Sequence, residues 1–409
     1  MRRRHLPGFG YLANLGIANK LGLIVVVLAI PICALVFLQY QDRQAATNQA
    51  HAESNGLEYI TKVMPFMREV QLHRGLVERV LNGEETARAN MERTAAAADT
   101  ALAEINAMDE RWGNDFETKE LVAFLNSEWP RARDASSSIQ ESNALHNSVI
   151  QQGVFPLIST VTTESKLVLD PDLDNRNVIA AVTETLPRMT EALSLMRSQG
   201  AGALVARRNQ PPSDATRQFM AAQSALAQFE AQQLKSQLET AMASNARFEA
   251  DLRSIVTRSE TSRSVFIDNT ATTVMNAPTL SETGAEGYFL LGASAIDLSN
   301  ELLTSAQAAL EADFDARADK ARQDFAFYGG AAGIGVIIAL GLAVFISATI
   351  TRPLTHLAEV ADRMSLGELD VDIDVEGDNE IGQLAESLRR MQSSLRSAIE
   401  RLRQRRVAA

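Results

Sequence analysis

Two uninterrupted apolar runs frame the chain. No residue from Leu21 to Tyr40 is ionised at neutral pH, and none from Phe325 to Thr351. Each run is about 20 residues or more, enough to cross roughly 30 Å of hydrocarbon at 1.5 Å per residue. Buried core helices rarely go so long without a charge, so residues 21–40 and 327–350 read as transmembrane helices. Between them, over residues 41–326, apolar positions recur at helical spacing almost throughout. The interruptions are Asn82-Gly83, Trp112-Gly113-Asn114, Asp170-Pro171-Asp172, Gln210-Pro211-Pro212-Ser213 and Ala277-Pro278. They predict about six helices. The first ends near Leu81 and the second runs from Glu84 to Asp109. The third runs from Phe116 to Leu169, with Pro130 and Pro156 as kinks or breaks. The fourth runs from Asn175 to Arg208, kinked near Pro187, and the fifth from Asp214 to Met275. The last starts near Ser281 and enters the second apolar run. Ser213 before Asp214 and Ser281 before Glu282 are N-cap starts. Long helices alternating with short ones predict an elongated all-α domain of two four-helix bundles stacked end to end.

Composition agrees and excludes other classes. The 409 residues are 46% hydrophobic but only 5% aromatic, with 22 Gly and 11 Pro, which suits long helices better than sheets. The single Cys33 removes a disulfide framework and a cysteine zinc site, and five scattered His offer no metal set, so no metal and no cofactor is expected. A net charge of −12 argues against a nucleic-acid partner. No Ser/His/Asp set, phosphate loop or paired-carboxylate motif stands out, so the chain reads as a non-enzyme. The first apolar run has the basic front of a signal peptide, but the nearest small-x-small site, Ala50-His51-Ala52, lies twelve residues beyond Leu38, so it reads as an uncleaved anchor. The first 20 residues hold four Lys/Arg and no acid, and beyond the second run Arg352 is followed by eight more Arg. Both ends are therefore expected in the cytoplasm, and the intervening loop, with 26 Lys/Arg and 40 Asp/Glu, outside.

The segment after the second run has its own pattern. Thr351-Arg352-Pro353-Leu354 opens a helix with apolar positions at Leu354, Leu357, Ala361 and Met364, ending at Gly367. An extended connector, Glu368 to Asp378, carries Leu369 and Ile373, which can pack into a groove between helices. A second helix begins at Glu380-Ile381-Gly382 and places Ile381, Leu384, Leu388, Met391, Leu395 and Ala398 at alternating spacings of 3 and 4, a coiled-coil seam. On Arg352-Pro353-Leu354, Gly367-Glu368-Leu369 and Asn379-Glu380-Ile381-Gly382, where the family usually has Asp-Glu-Ile-Gly, residues 351–403 resemble the HAMP linker of bacterial transmembrane receptors. The resemblance implies a homodimer, with a parallel four-helix bundle built from two helices of each chain. It implies packing roles for Pro353, Leu354, Leu357, Gly367, Leu369, Ile373, Glu380, Ile381, Leu384, Leu388, Met391 and Leu395. It also implies a relay from the membrane helices to a cytoplasmic signalling protein. The whole layout is similar to the input half of a chemoreceptor or sensor kinase in a bacterial inner membrane, in contact with lipid. No kinase, cyclase or methylated hairpin follows before the basic tail 404–409, so the output is expected either in trans or in a further part of the protein.

The outer segment resembles, more loosely, the all-helical nitrate/nitrite-sensing domain, through Gln71-Leu72-His73-Arg74-Gly75-Leu76. That family tends to show Leu-Gln-x-Glu-Arg-Gly-Leu; here His73 replaces the Glu and the Gln is shifted. The resemblance implies that Arg74 binds an anion, and the two-bundle layout is equally similar to helical bimodular domains that bind small organic acids. A faint internal echo, Met64-Pro65-x-Met67-x-Glu69 and Leu186-Pro187-x-Met189-x-Glu191, places Arg74 and Arg197 shortly before Gly75 and Gly200. An arginine fork stays charged and fits an oxyanion. The candidate ligand set for a small periplasmic molecule, nitrate or a small carboxylate, is therefore Arg74, His73, Arg197 and Arg68, with Arg74 expected to be shared across a dimer. Each is also open to a bland reading as a solvated arginine or a hydrogen-bonded bundle histidine. Asp170 to Asn175 lacks the Gly and Glu of a calcium loop and reads as a turn. The rival reading of the chain is a dimeric membrane scaffold that needs no ligand.

Overall fold

The structure, a computed structural model, describes residues 17–206, 210–280 and 284–407. Among them every regular element is helical. The three arginines at positions 2–4 and the cap at Ser281 lie outside the described residues. The chain divides into two compact units, Ala45–Lys320 on the one hand, and Met1–Gln44 with Ala321–Ala409 on the other.

Within Ala45–Lys320, helix α1 (Ile17–Leu81) enters from the other unit and ends at the left-handed Gly83, φ +102°. It is followed by α2 (Arg88–Trp112), α3 (Lys119–Arg133), α4 (Ile139–Ser148), α5 (Phe155–Glu164), α6 (Leu173–Ala180), α7 (Leu186–Ala206), α8 (Asp214–Ser244), α9 (Ala246–Thr270) and α10 (Ala285–Ile346). The predicted prolines act by widening the helix rather than breaking it. Pro156 and Pro187 each follow a π-helical turn, Val149–Val154 and Ala181–Thr185. A proline ring has no N–H to give and pushes away the carbonyl one turn back, and a wider turn relieves both problems. Ser213 caps α8 as expected, its hydroxyl accepting from Thr216 N at 3.1 Å.

The predicted helix from Asp214 to Met275 is in fact a hairpin. Asn245 leaves the helical region (φ −130°, ψ 108°) and caps α9 by accepting from Arg247 N at 3.0 Å. The long fifth helix is therefore two helices, and α1 of the first half and α10 of the second run side by side. In the first, α1 meets α2 through Lys62 and Glu104, 3.2 Å apart, and α3 through the edge-on Phe66 and Trp129 rings, 5.9 Å apart. In the second, Arg258 of α9 holds Glu301 of α10 at 2.8 Å. Between the halves α1 and α10 run antiparallel, bridged by Glu53–Arg317 at 2.7 Å, Arg68–Asp297 at 3.0 Å and Arg79–Glu286.

Helices α1, α7 and α10 approach closely where glycines remove the Cβ. A Cβ at Gly75 would meet Ser198 at 2.9 Å and Phe289 at 3.2 Å, one at Gly200 the Tyr288 ring at 2.5 Å, and one at Gly292 both the Arg197 stem and Phe266 at 2.9 Å. The core around this crossing includes Phe66, Val70, Leu193, Met196, Phe266 and Tyr288, all buried.

One helical run among the described residues, Ala285–Ser365, begins in this unit, continues into the other and is long and apolar enough to cross a membrane; its best window has mean hydropathy 2.4 and no buried residue. Leu23, Ile24, Val26, Val27 and Ile30 of α1 are exposed too. A π-helical turn, Ser347–Thr351, leads into α11 (Arg352–Ser365), with Pro353 in its first turn. The chain turns at Gly367, φ +95°, follows an extended connector and re-enters a helix, α12 (Glu380–Val407). Asn379 caps α12, accepting from Gly382 N at 3.1 Å, and Gly382 lets the Gly377 carbonyl approach. Leu357, Val360, Met364, Val371, Ile373 and Ala385 form the core of this hairpin, with Ile381 and Leu388 packed on its edge. Leu369 is half-buried. The Gln392 side chain ties the connector down by donating to Leu369 O at 3.0 Å and Val371 O at 2.7 Å. Leu384, Met391 and Leu395 are 44%, 47% and 41% exposed, an apolar stripe on the open side of α12.

Gly292→Ala is expected to lower stability by about 1–3 kcal/mol, since the new methyl overpacks the crossing. Gly287→Ala, on the same helix with nothing within 4 Å of its Cβ position, should raise stability by about 0.5–1 kcal/mol. Thermal melts of both variants followed by circular dichroism check the sign of each shift.

Candidate functional site

The crossing encloses two arginines. Arg74 on α1 is 0% exposed and Arg197 on α7 is 3% exposed. A desolvated guanidinium needs a partner for nearly every N–H. Arg74 has them. Its Nη1 and Nη2 grip Glu191 at 2.7 and 3.0 Å, and the same nitrogens reach Asn147 Oδ1 at 2.8 Å and Ser194 Oγ at 2.9 Å. Gln71 supports Glu191 by donating from Nε2 at 2.9 Å. The two glutamates of the internal echo, Glu69 and Glu191, thus both face this centre, and Glu191 belongs to the opposite half from the arginine it neutralises.

Arg197 is poorly satisfied. Its Nη2 donates to Gln71 O at 3.0 Å, its guanidinium lies 4.9 Å from the Phe289 ring centre, and its Nε has no partner. No carboxylate among the described residues reaches ion-pair distance of it. Burial above all, and then the neighbouring Arg74 charge, lower its pKa to about 9, so it remains a cation at neutral pH. Arg68, Asp297 and Glu191 also act on it electrostatically. Arg68 itself is part-exposed and engaged by Asp297 and Glu69. The structure therefore brings Arg68, Arg74 and Arg197 into one charged centre. Both buried guanidiniums are enclosed by helices of this chain.

His73 sits one residue away but faces elsewhere. Its Nδ1 lies 2.8 Å from Nε2 of His146, with Trp129 edge-on to both rings. Desolvation pushes His73 down to about 4 and His146 to about 3, so both are neutral at neutral pH. One turn beyond Arg74, the Glu78 carboxyl is buried against Gly202, with the Asn143 amide at 3.5 Å. Burial raises it to about 7. Sequence reasoning named the arginines but missed Glu191, Glu69 and Glu78. The echo contained the first two, and only their opposite-sign spacing from Arg74 and Arg197 could have marked them. The Asp170–Asn175 turn is a clasp rather than a cation loop. Asp170 and Asp172 hold Arg317 at 2.9 and 3.2 Å beside Glu53. Among the described residues no His/Cys/Asp/Glu group could hold a metal.

Two stability changes follow. Arg74→Met should cost about 3–5 kcal/mol by leaving Glu191 buried and unpaired, and the pair Arg74→Met with Glu191→Leu should recover most of it, which denaturant melts of the three variants measure. Glu78 has a folded pKa above its unfolded one, so its stabilising contribution is complete below pH about 4.5 and is lost as pH rises to about 7. His73 and His146 act oppositely, their contribution being lost as pH falls from about 6.5 towards 4 and 3. Comparing Glu78→Gln with the parent isolates the carboxyl. The variant should gain roughly 3 kcal/mol on the parent between pH 4.5 and 7.5, and equal stabilities at both pH values would show that Glu78 does not titrate there.

The HAMP domain family matches residues 345–397, starting just before the sequence-predicted hairpin. A putative sensory transducer protein of Acetivibrio thermocellus is 46% identical over 63 residues, 15% of this chain and 11% of that protein. The methyl-accepting chemotaxis protein TlpB of Bacillus subtilis is 39% identical over 66 residues, 16% of this chain and 10% of that protein. The chain thus spans about a tenth of the length of these curated relatives. Among solved structures, the NasR transcription antiterminator aligns over 88% of this chain and 95% of its own, at 15% identity and a TM-score of 0.49. With the cap, the turning glycine and the tied-down connector in place, residues 345–397 are a HAMP domain, in a chain similar to bacterial sensory transducers.

Proposed function

We propose that the chain is a homodimeric signalling receptor of the bacterial inner membrane, with two spans and both ends in the cytoplasm. In this reading Ala45–Lys320 senses a small anion outside the membrane, and the HAMP domain relays the change to a cytoplasmic signalling protein. The observation that carries the reading is Arg197: a buried cation with no carboxylate, at the crossing of α1, α7 and α10. Helices α1 and α10 are the ones that continue into the apolar runs at residues 21–40 and 327–350. An anion that neutralises Arg197 strengthens contact among the three helices, and any resulting shift of α10 against α1 is delivered along the chain to Arg352 and the HAMP hairpin. The exposed stripe Leu384, Met391 and Leu395 supports pairing with a second copy, because a monomer leaves it in water.

The ligand test uses the full chain in detergent at constant ionic strength, titrated with nitrate, acetate and succinate. At least one should raise the melting temperature, by RT ln(1 + [L]/Kd) in free energy, and Arg197→Gln should remove the response. No response to any of the three favours the ligand-free scaffold. Leu388→Asp should cost several kcal/mol by placing an unpaired charge against the hairpin core, read as loss of crosslinked dimer. A cysteine at Ser136 should label only from outside.

A further inference from the structure

A second cavity lies away from the arginine centre, between α5 and the π-helical turn Ala181–Thr185. It measures about 100 Å³ and is lined by Phe155, Ser159, Thr162, Thr163, Val168, Thr183, Glu184 and Arg188. This volume equals the liquid share of about three waters, which suits a solute of a few heavy atoms. Its lining combines both signs of charge with four hydroxyls. Glu184 and Arg188 are one helical turn apart, the spacing that normally closes an ion pair, yet among the described residues neither forms one. The π-helical turn contains Glu184 and ends before Arg188, so the wider winding takes the two side chains out of the usual alignment.

The hydroxyls are committed in a way that sorts donors from acceptors. Thr162 donates to Ile158 O at 2.6 Å, Thr163 to Ser159 O at 2.9 Å and Thr183 to Ile179 O at 2.8 Å. Each oxygen keeps its lone pairs and acts only as an acceptor. Ser159 spends its hydroxyl proton on nothing among the described residues and remains a donor. The cavity therefore offers donors from Arg188 and Ser159, and acceptors from Glu184 and the threonines.

We infer that this cavity binds a small α-amino acid as its zwitterion. The carboxylate takes the Arg188 fork and the Ser159 hydroxyl, and the ammonium takes Glu184 and threonine oxygens. A simple anion leaves Glu184 repelling it, and a simple cation meets the same problem at Arg188; only a ligand with both charges satisfies the whole lining. Phe155 and Val168 are the apolar part of the lining, and the small volume favours a methyl or hydroxymethyl side chain over a larger one. The site is separate from Arg197.

The test is calorimetric titration of the full chain in detergent with glycine, L-alanine and L-serine, with acetate, methylammonium and L-phenylalanine as comparisons. Glycine or L-alanine should bind saturably, and the three comparison solutes should not. Arg188→Gln and Glu184→Gln should each weaken that binding at least tenfold. Both residues are exposed, so the ligand-free melting temperature should stay at the parent value, while any nitrate response assigned to Arg197 survives in both variants. A lack of binding by all three small amino acids would overturn the proposal, as would undiminished binding in either variant. Acetate binding as tightly as glycine would overturn it in favour of an anion-only site. A nitrate response without amino-acid binding would leave the receptor reading standing and remove this one.

Discussion

The fold of Ala45–Lys320 depends on enclosing guanidinium charge at a helix crossing. Three helices can surround Arg74 and Arg197 only because Gly75, Gly200 and Gly292 let them come close, and the charge is tolerable only because Glu191 supplies both carboxylate oxygens to Arg74. A buried ion pair of this kind is weak evidence for stability, since desolvation offsets most of its attraction. Its consequence is specificity of arrangement. A slip of α7 along α1 would strand two charges in the core, so the crossing has one register. Arg197 is left without a carboxylate in that register, a buried cation at the point where the three helices meet.

The same helices carry the mechanical connection. Helices α1 and α10 are bridged by three ionic rungs within Ala45–Lys320, at Glu53–Arg317, Arg68–Asp297 and Arg79–Glu286. Exposed ion pairs are individually worth little, but the Arg317 rung also gathers Asp170 and Asp172, which ties the turn before α6 to both helices. Three carboxyls share this one guanidinium, and burial raises Asp170 and Glu53 while Arg317 opposes the shift. A small relative movement of α1 and α10 must then be concerted over the length of the rungs rather than confined to one end.

The HAMP hairpin is satisfied on one side and open on the other. Its connector is threaded by apolar residues at alternate positions, Val371, Ile373 and Val375, and pinned by Gln392 and Arg389 donating to its carbonyls. Alternation along an extended chain puts these side chains on one face together with the half-buried Leu369, so Val371 joins Leu369 and Ile373, the two connector positions that the sequence alone had marked. Among the described residues nothing covers the stripe at Leu384, Met391 and Leu395, three of the positions that sequence spacing assigns to a seam.

Local pattern decided most of the elements. The end of α1, the start of α8 with its cap at Ser213, the disturbances at Pro156 and Pro187, the Asn379 cap and the HAMP hairpin all follow from short-range sterics and hydrogen bonding, which a sequence states directly. The arginines of the centre could be named because Arg beside Gly in an apolar helix is unusual enough to notice. Their partners could not. Glu191 lies 117 residues from Arg74, and which carboxylate neutralises which guanidinium depends on how the two halves are laid together. The break at Asn245 escaped for a related reason: its local signal is a single residue without proline or glycine, and the hairpin forms because α9 gains burial against α10. Whether the halves sit end to end or side by side, and which arginine is left without a partner, were decided by tertiary packing, because only there does the cost of burying each charge depend on what faces it.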